Sequence, residues 1–135
     1  MIALESLQHK LSLSTPLEQR SETCWIDPGT KSVRELTAAM SAMGARFITI
    51  TAYQLPKEGG MRLEYHWDLQ SQLLGASFAL AGNTIESIYD ICEAADWIER
   101  EVHEEFAIEF TGREYEPLLL RLGDTPGVNL REEVR

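Results

Sequence analysis

The sequence predicts an α+β fold, a two-layer sandwich in which helices cover one face of a mostly antiparallel or mixed sheet, in the order β-α-β-β-β-α-β. Two patterns carry this expectation. Between Arg46 and Ala81 stand three successive runs, of which the first two show the period of two that a half-buried strand requires. On either side, Val33–Met43 and Ala94–Phe106 repeat their apolar residues at helical spacing. Strands grouped together between helices, without regular strand–helix alternation, favour an antiparallel sheet covered on one side.

Residues 1–20 are of mixed polarity and interrupted by Pro16, and Lys10-Leu11-Ser12-Leu13-Ser14 reads as a short edge strand. Thr23-Cys24-Trp25-Ile26 reads as a strand closed by the turn residues Asp27-Pro28-Gly29. Thr30 or Ser32 then caps a helix carrying Val33, Leu36, Ala39, Met40 and Met43 on one face, and Gly44 ends it by taking the left-handed conformation. Arg46 to Leu55 is rich in β-branched and aromatic residues, Pro56 to Gly60 forms a hairpin loop, and Met61 to Asp68 alternates again. A third run, Leu73 to Ala81, stops at Gly82-Asn83.

Thr84 to Ala94 reads as a connector in which Asp90 and Glu93 would make a capping box for the last helix. That helix is expected to bury Ala94, Ala95, Ile98, Val102 and Phe106 and to turn its other residues outward. Residues 1–121 form a single α+β domain on this reading. Residues 122–135 form an extended C-terminal tail that orders only against a partner.

A formal charge of −10 and a pI near 4.7 repel nucleic acid and anionic membrane surfaces and favour basic protein partners. No stretch approaches the roughly 20 apolar residues of a membrane span. The start of the chain does not read as a signal peptide, so an intracellular, soluble protein is expected. Cys24 and Cys92 stand far apart without a Cys-x-x-Cys pair, which reads as two small hydrophobes in a reducing compartment and supplies too few soft ligands for zinc or iron–sulfur.

Charge is most concentrated from Trp97 to Glu105, where Glu93, Asp96, Glu99, Glu101, Glu104 and Glu105 surround the single Arg100. A helix needing only solubility would mix signs on its exposed face. His103-Glu104-Glu105 starts like a zinc-protease motif, but position 107 holds Ala where the second histidine must stand. Glu99 and His103, four residues apart, are too few to hold a metal alone. No glycine-rich loop follows a strand to cradle phosphate.

Paired carboxylates leave open a stand-alone acid–base enzyme using Glu101, Glu104 and His103, and a free protein-binding module is a further alternative. The residues themselves favour an interface, in which Arg100 is held by fork-like bonds to Glu101 or Glu104 beside Trp97. Trp and Arg are the side chains that most often dominate binding energy.

The stretch Ala95-Asp96-Trp97-Ile98-Glu99-Arg100-Glu101-Val102-His103-Glu104-Glu105-Phe106-Ala107-Ile108-Glu109-Phe110-Thr111-Gly112 resembles the signature of the 30-kilodalton subunit of respiratory complex I, the NADH:quinone oxidoreductase. It is similar as well to the related subunit of membrane-bound energy-converting nickel–iron hydrogenases and formate hydrogenlyases. The resemblance covers about residues 23–121 and rests on Trp97, Glu99, Arg100, Glu101, Phe106, Ile108, Phe110 and Gly112, with Glu104 where complex I mostly has Asp. Ala107 stands in place of a usual Gly, and Arg113-Glu114 in place of a frequent His-Pro. His103-Glu104 and the short chain lean toward the hydrogenase-type branch.

The resemblance implies a non-catalytic accessory subunit of the peripheral arm, with no cofactor in this chain. Its partners would be the large subunit bearing the quinone site or nickel–iron centre, and other peripheral-arm subunits that carry iron–sulfur clusters. It implies a cytoplasmic place on the membrane's surface through the complex, without a span of its own. The motif residues would then have structural and docking roles.

Overall fold

In the computed structural model, which describes residues 4–54, 60–80 and 82–114, five strands form one sheet. They are β1 (Glu18–Arg20), β2 (Thr23–Ile26), β3 (Arg46–Gln54), β4 (Met61–Leu69) and β5 (Gln72–Ala79), in spatial order β1-β2-β5-β4-β3. The β3–β4–β5 meander is antiparallel, as the alternation predicts, while β2 joins β5 in parallel and makes the sheet mixed. Three helices, α1 (Leu4–Lys10), α2 (Val33–Ala42) and α3 (Ala95–Phe106), accompany the sheet. Two short strands, β6 (Thr84–Glu86) and β7 (Glu109–Thr111), pair in parallel as a separate ribbon.

The register explains the core. Met61, Leu63, Tyr65, Trp67 and Leu69 of β4 all face inward, opposite Leu74, Ala76 and Phe78 of β5 and Phe47 and Ile50 of β3. Leu7, Leu36, Met40, Ala95 and Val102 bring all three helices into the same apolar cluster. Each fully buried aliphatic or aromatic side chain contributes about 1.5–3 kcal/mol. The α+β sandwich is therefore held by one continuous core.

On the outer face Trp25 lies across Gly75, where a Cβ would meet Trp25 Cζ3 at 2.9 Å. Glycine is needed there for close approach, and the Trp25 ring meets His66 edge-on with centroids 5.6 Å apart. Ser32 caps α2 by accepting from the Glu35 amide at 3.1 Å, and Gly44 at φ +80° closes its other end.

Several expectations are corrected. Lys10–Ser14 is no strand: α1 runs through Lys10, and Ser12 at φ 54° turns the chain with Leu13 N–H bonded to Gln8 O at 3.0 Å. The Leu11/Leu13 alternation arises from that left-handed turn, which aims both leucines into the core. The connector from Thr84 contains β6, whose partner β7 lies far along the chain and leaves no local signal.

Asp90 and Glu93 form no capping box. The helix begins at Ala95 after tight turns, and its N-cap Ala94 offers no side-chain bond. On α3 the buried set is Ala95, Glu99, Val102 and Glu104, whereas Ala94 is exposed and Ile98 and Phe106 are half-buried. The expected hairpin loop at 56–59, Leu55, Ala81, the 121/122 domain boundary and the tail lie outside the described residues.

Candidate interaction site

Glu99 is fully buried in the middle of α3, and its carboxylate is surrounded by donors. Ser87 Oγ donates to Oε1 at 2.6 Å, the Ile88 amide to Oε2 at 2.9 Å, and Arg113 Nη1 to Oε1 at 3.2 Å. Burial pushes the Glu99 carboxyl above the ordinary carboxylate range, and these bonds from Ser87, Ile88 and Arg113 pull it back. A buried charge persists only when bonded in this way.

Ser87, just after β6, joins four parts of the chain. Its amide donates to Thr111 O of β7 at 3.0 Å, its Oγ also accepts from the Tyr89 amide at 3.1 Å, and its carbonyl accepts from Arg34 Nη1 of α2 at 2.7 Å. Arg34 also grips Asp90 with two bonds, at 2.6 and 2.8 Å, and holds that carboxyl below its usual range. The connector is thus tied to α2, α3 and β7 at once.

At the surface end of the cluster Asp96 bridges two guanidiniums, Arg113 on Oδ1 and Arg100 on Oδ2 at 3.1 Å. Each arginine stacks under a ring: Arg100 lies 5.0 Å from the Trp97 centroid and Arg113 5.0 Å from the Tyr89 centroid. Trp97 and Tyr89 are 58% and 39% exposed, and they are the large apolar side chains that the described residues present to solvent. The arginine side chains beneath are only 14% and 8% exposed. The result is a ladder, Tyr89–Arg113–Asp96–Arg100–Trp97, whose two guanidiniums are matched by Asp96 and the buried Glu99.

The structure brings some of the motif residues together and separates others. Trp97, Arg100 and Glu99 belong to this cluster, Glu99 inside and Trp97 outside. Arg100 is held by Asp96, one turn earlier, and not by Glu101 or Glu104 as expected: Glu104, equally one turn away, is buried instead. Glu101 is half-buried and Glu104 buried. Ile108 and Phe110 are core residues, Phe106 packs against the core, and Gly112 turns the chain at φ +87° immediately before Arg113.

Ala107 adopts φ +57° as the left-handed cap of α3, with its amide bonded to His103 O at 3.0 Å. The tight turn thus forms with alanine where the family pattern has glycine. His103 Nδ1 lies 2.9 Å from Ile108 O. Since a carbonyl only accepts, that nitrogen carries the proton, and the ring bridges the helix end to the segment leading into β7.

Ser87, Arg34 and Tyr89 were not singled out from the sequence, and Arg113 only as a departure from the family pattern, without a role. The available signal was Glu99 itself, four residues after Ala95 and three before Val102 on the inward stripe, where a carboxylate requires a partner.

Chemically the arrangement braces the fold. Glu99 has both oxygens occupied by donors and no exposure, so it has no open face toward a substrate. Two surface grooves, of about 270 and 260 Å3, lie near Trp25 and Arg62 and near Val33 and Thr111, and neither is lined by Glu101, His103 or Glu104. Among the described residues no group of three or more His, Cys, Asp or Glu is placed to hold a metal, and no helix is long and apolar enough to cross a membrane.

Solved structures share this fold. One is a chain of the membrane-bound sulfane sulfur reductase, an archaeal respiratory membrane complex, with TM-score 0.73 and 23% identity over 91% of this chain and 78% of that chain. Another is a trypsin-resistant fragment of Nqo5, with TM-score 0.64 and 14% identity over 83% of this chain and 97% of the fragment. No curated protein matches the sequence. The model of the family described as respiratory-chain NADH dehydrogenase, 30 Kd subunit, matches residues 26–135, which include the Glu99 cluster, the ring ladder and the α3–β7 motif. The chain belongs to this family of 30 kDa subunits of the respiratory-chain NADH dehydrogenase.

Proposed function

We propose that this chain is a non-catalytic, cofactor-free accessory subunit in the peripheral arm of a complex I-like oxidoreductase or energy-converting hydrogenase. It docks on the large subunit that bears the quinone site or nickel–iron centre and supports assembly of the electron-transfer module. Iron–sulfur clusters, and nickel–iron in a hydrogenase-type complex, belong to the partner subunits. The complex holds the chain at the cytoplasmic side of the membrane.

The observation that carries this reading is family membership across residues 26–135. The geometry supports it: Glu99 is sealed among donors inside the fold, while Trp97 of the same helix faces outward on a braced guanidinium. Glu99, Phe106, Ile108, Phe110 and Gly112 build the platform, Arg100 supports Trp97 from beneath, and Trp97 and Glu101 face the partner.

Affinity capture of the tagged full chain from its own cells tests this. The expected result is stoichiometric recovery of a large redox subunit with cluster-bearing subunits. Recovery of the chain alone from gently solubilised material would sink the proposal.

A further inference from the structure

The ring ladder carries more information than a site of contact, because its surroundings specify what can dock there. The two arginines beneath the rings are matched by Asp96 and Glu99, so the ladder itself is close to neutral. Its margin is not. Glu93, in the turn leading into α3, and Glu101 and Glu105, four and eight residues beyond Trp97, have no cationic partner among the described residues, and Glu93 is exposed. Crowding with Glu101 and Glu104 adds to burial in pushing the Glu105 carboxyl above its ordinary range. Like charges gathered along one helix flank repel each other until a cation arrives.

We infer that the Tyr89–Trp97 ladder is a docking surface for a basic protein segment, one that sets an apolar side chain against the two rings and lysine or arginine side chains against Glu93, Glu101 and Glu105. This rests on the accessory-subunit reading and names the chemistry of the partner face. Rings clamped on buried guanidiniums lose little freedom on binding, which makes them efficient contributors. A second copy of this chain would bring one acidic margin against another, at a net charge of −10 each, and an anionic lipid or nucleic-acid surface meets the same repulsion. A basic protein face matches both the rings and the margin.

The test uses the tagged full chain and the redox subunits that it captures. Trp97→Ala and, separately, Tyr89→Ala should retain the native fold by circular dichroism, since both rings are exposed, and should weaken association about thirtyfold for Trp97, the size of a hot-spot loss. Glu93→Lys/Glu101→Lys/Glu105→Lys should also weaken it, and should abolish the loosening by salt that the unaltered chain shows. Capture of the same redox subunits at unaltered strength and salt dependence by all three variants overturns this inference and leaves the accessory-subunit reading standing. Capture of no redox subunit by the unaltered chain overturns both.

Discussion

Arg113 Nη1 donates to Glu99 Oε1 across 3.2 Å, and this bond ties the segment that follows β7 to the centre of α3. Both side chains are almost fully buried, at 8% and 0% exposure. Their pairing explains how a helix with a carboxylate on its inward stripe can pack on the core. It also places Arg113 where it can support Tyr89 and share Asp96 with Arg100.

Removing one member of a buried ion pair leaves the other charge uncompensated. Arg113→Ala should therefore destabilise the fold by about 3–5 kcal/mol. Urea denaturation followed by circular dichroism measures this. The double variant with Glu99→Gln should lose clearly less than the sum of the two single losses, because the residues share one network.

Glu99 also predicts a pH dependence with a definite sign. Its folded carboxyl binds a proton more tightly than the unfolded one, so between the ordinary carboxylate value and the raised folded value the folded state holds more protons. Its contribution to stability is present in full below that window and falls as the pH rises through it. Glu99→Gln removes the titration. The stability of the unaltered chain relative to Glu99→Gln should accordingly decline with rising pH across the window, and a difference that grows with pH contradicts the assignment.

Ala107→Gly should stabilise the chain. A left-handed conformation costs an L-residue about 1–2 kcal/mol, and the added flexibility of unfolded glycine returns about 0.5–1 kcal/mol of that, for a net gain of about 0.5–1 kcal/mol. A rise in thermal midpoint of a few degrees is the expected reading. His103→Ala in the same background should cost stability, since the ring's bond to Ile108 O closes the same turn.

Gly75→Ala should destabilise by about 1–3 kcal/mol as the new Cβ forces Trp25 off the sheet. Trp25→Ala should relieve most of that added cost when the two changes are combined. Equal penalties with and without the Trp25 ring would show that the ring does not set the need for glycine there.

Periodicity makes the meander and α2 legible, because β3, β4 and β5 are adjacent in sequence and β4 buries every second residue between them. The same logic fails where the deciding contact is remote. Nothing near Thr84 announces that β6 pairs with β7 beyond α3, and nothing near Leu11 announces a serine in the left-handed turn. The α3–β7 motif is readable as a family resemblance. Its internal roles are not, because Glu99 is explained only by Ser87, Ile88 and Arg113, which lie eleven to fourteen residues away. Asp90 reads as a helix cap because α3 follows it closely, whereas its partner Arg34 stands on a different helix.

Native size is the most direct test of the central claim, that this chain works as a subunit of a larger redox assembly. Gently solubilised cell material is separated by size, and the chain is followed by antibody alongside the redox subunits. The expected result is co-elution with the large subunit at several times the chain's own 15.3 kDa. Elution of the whole population at monomer mass, with the redox complex intact in separate fractions, contradicts the claim.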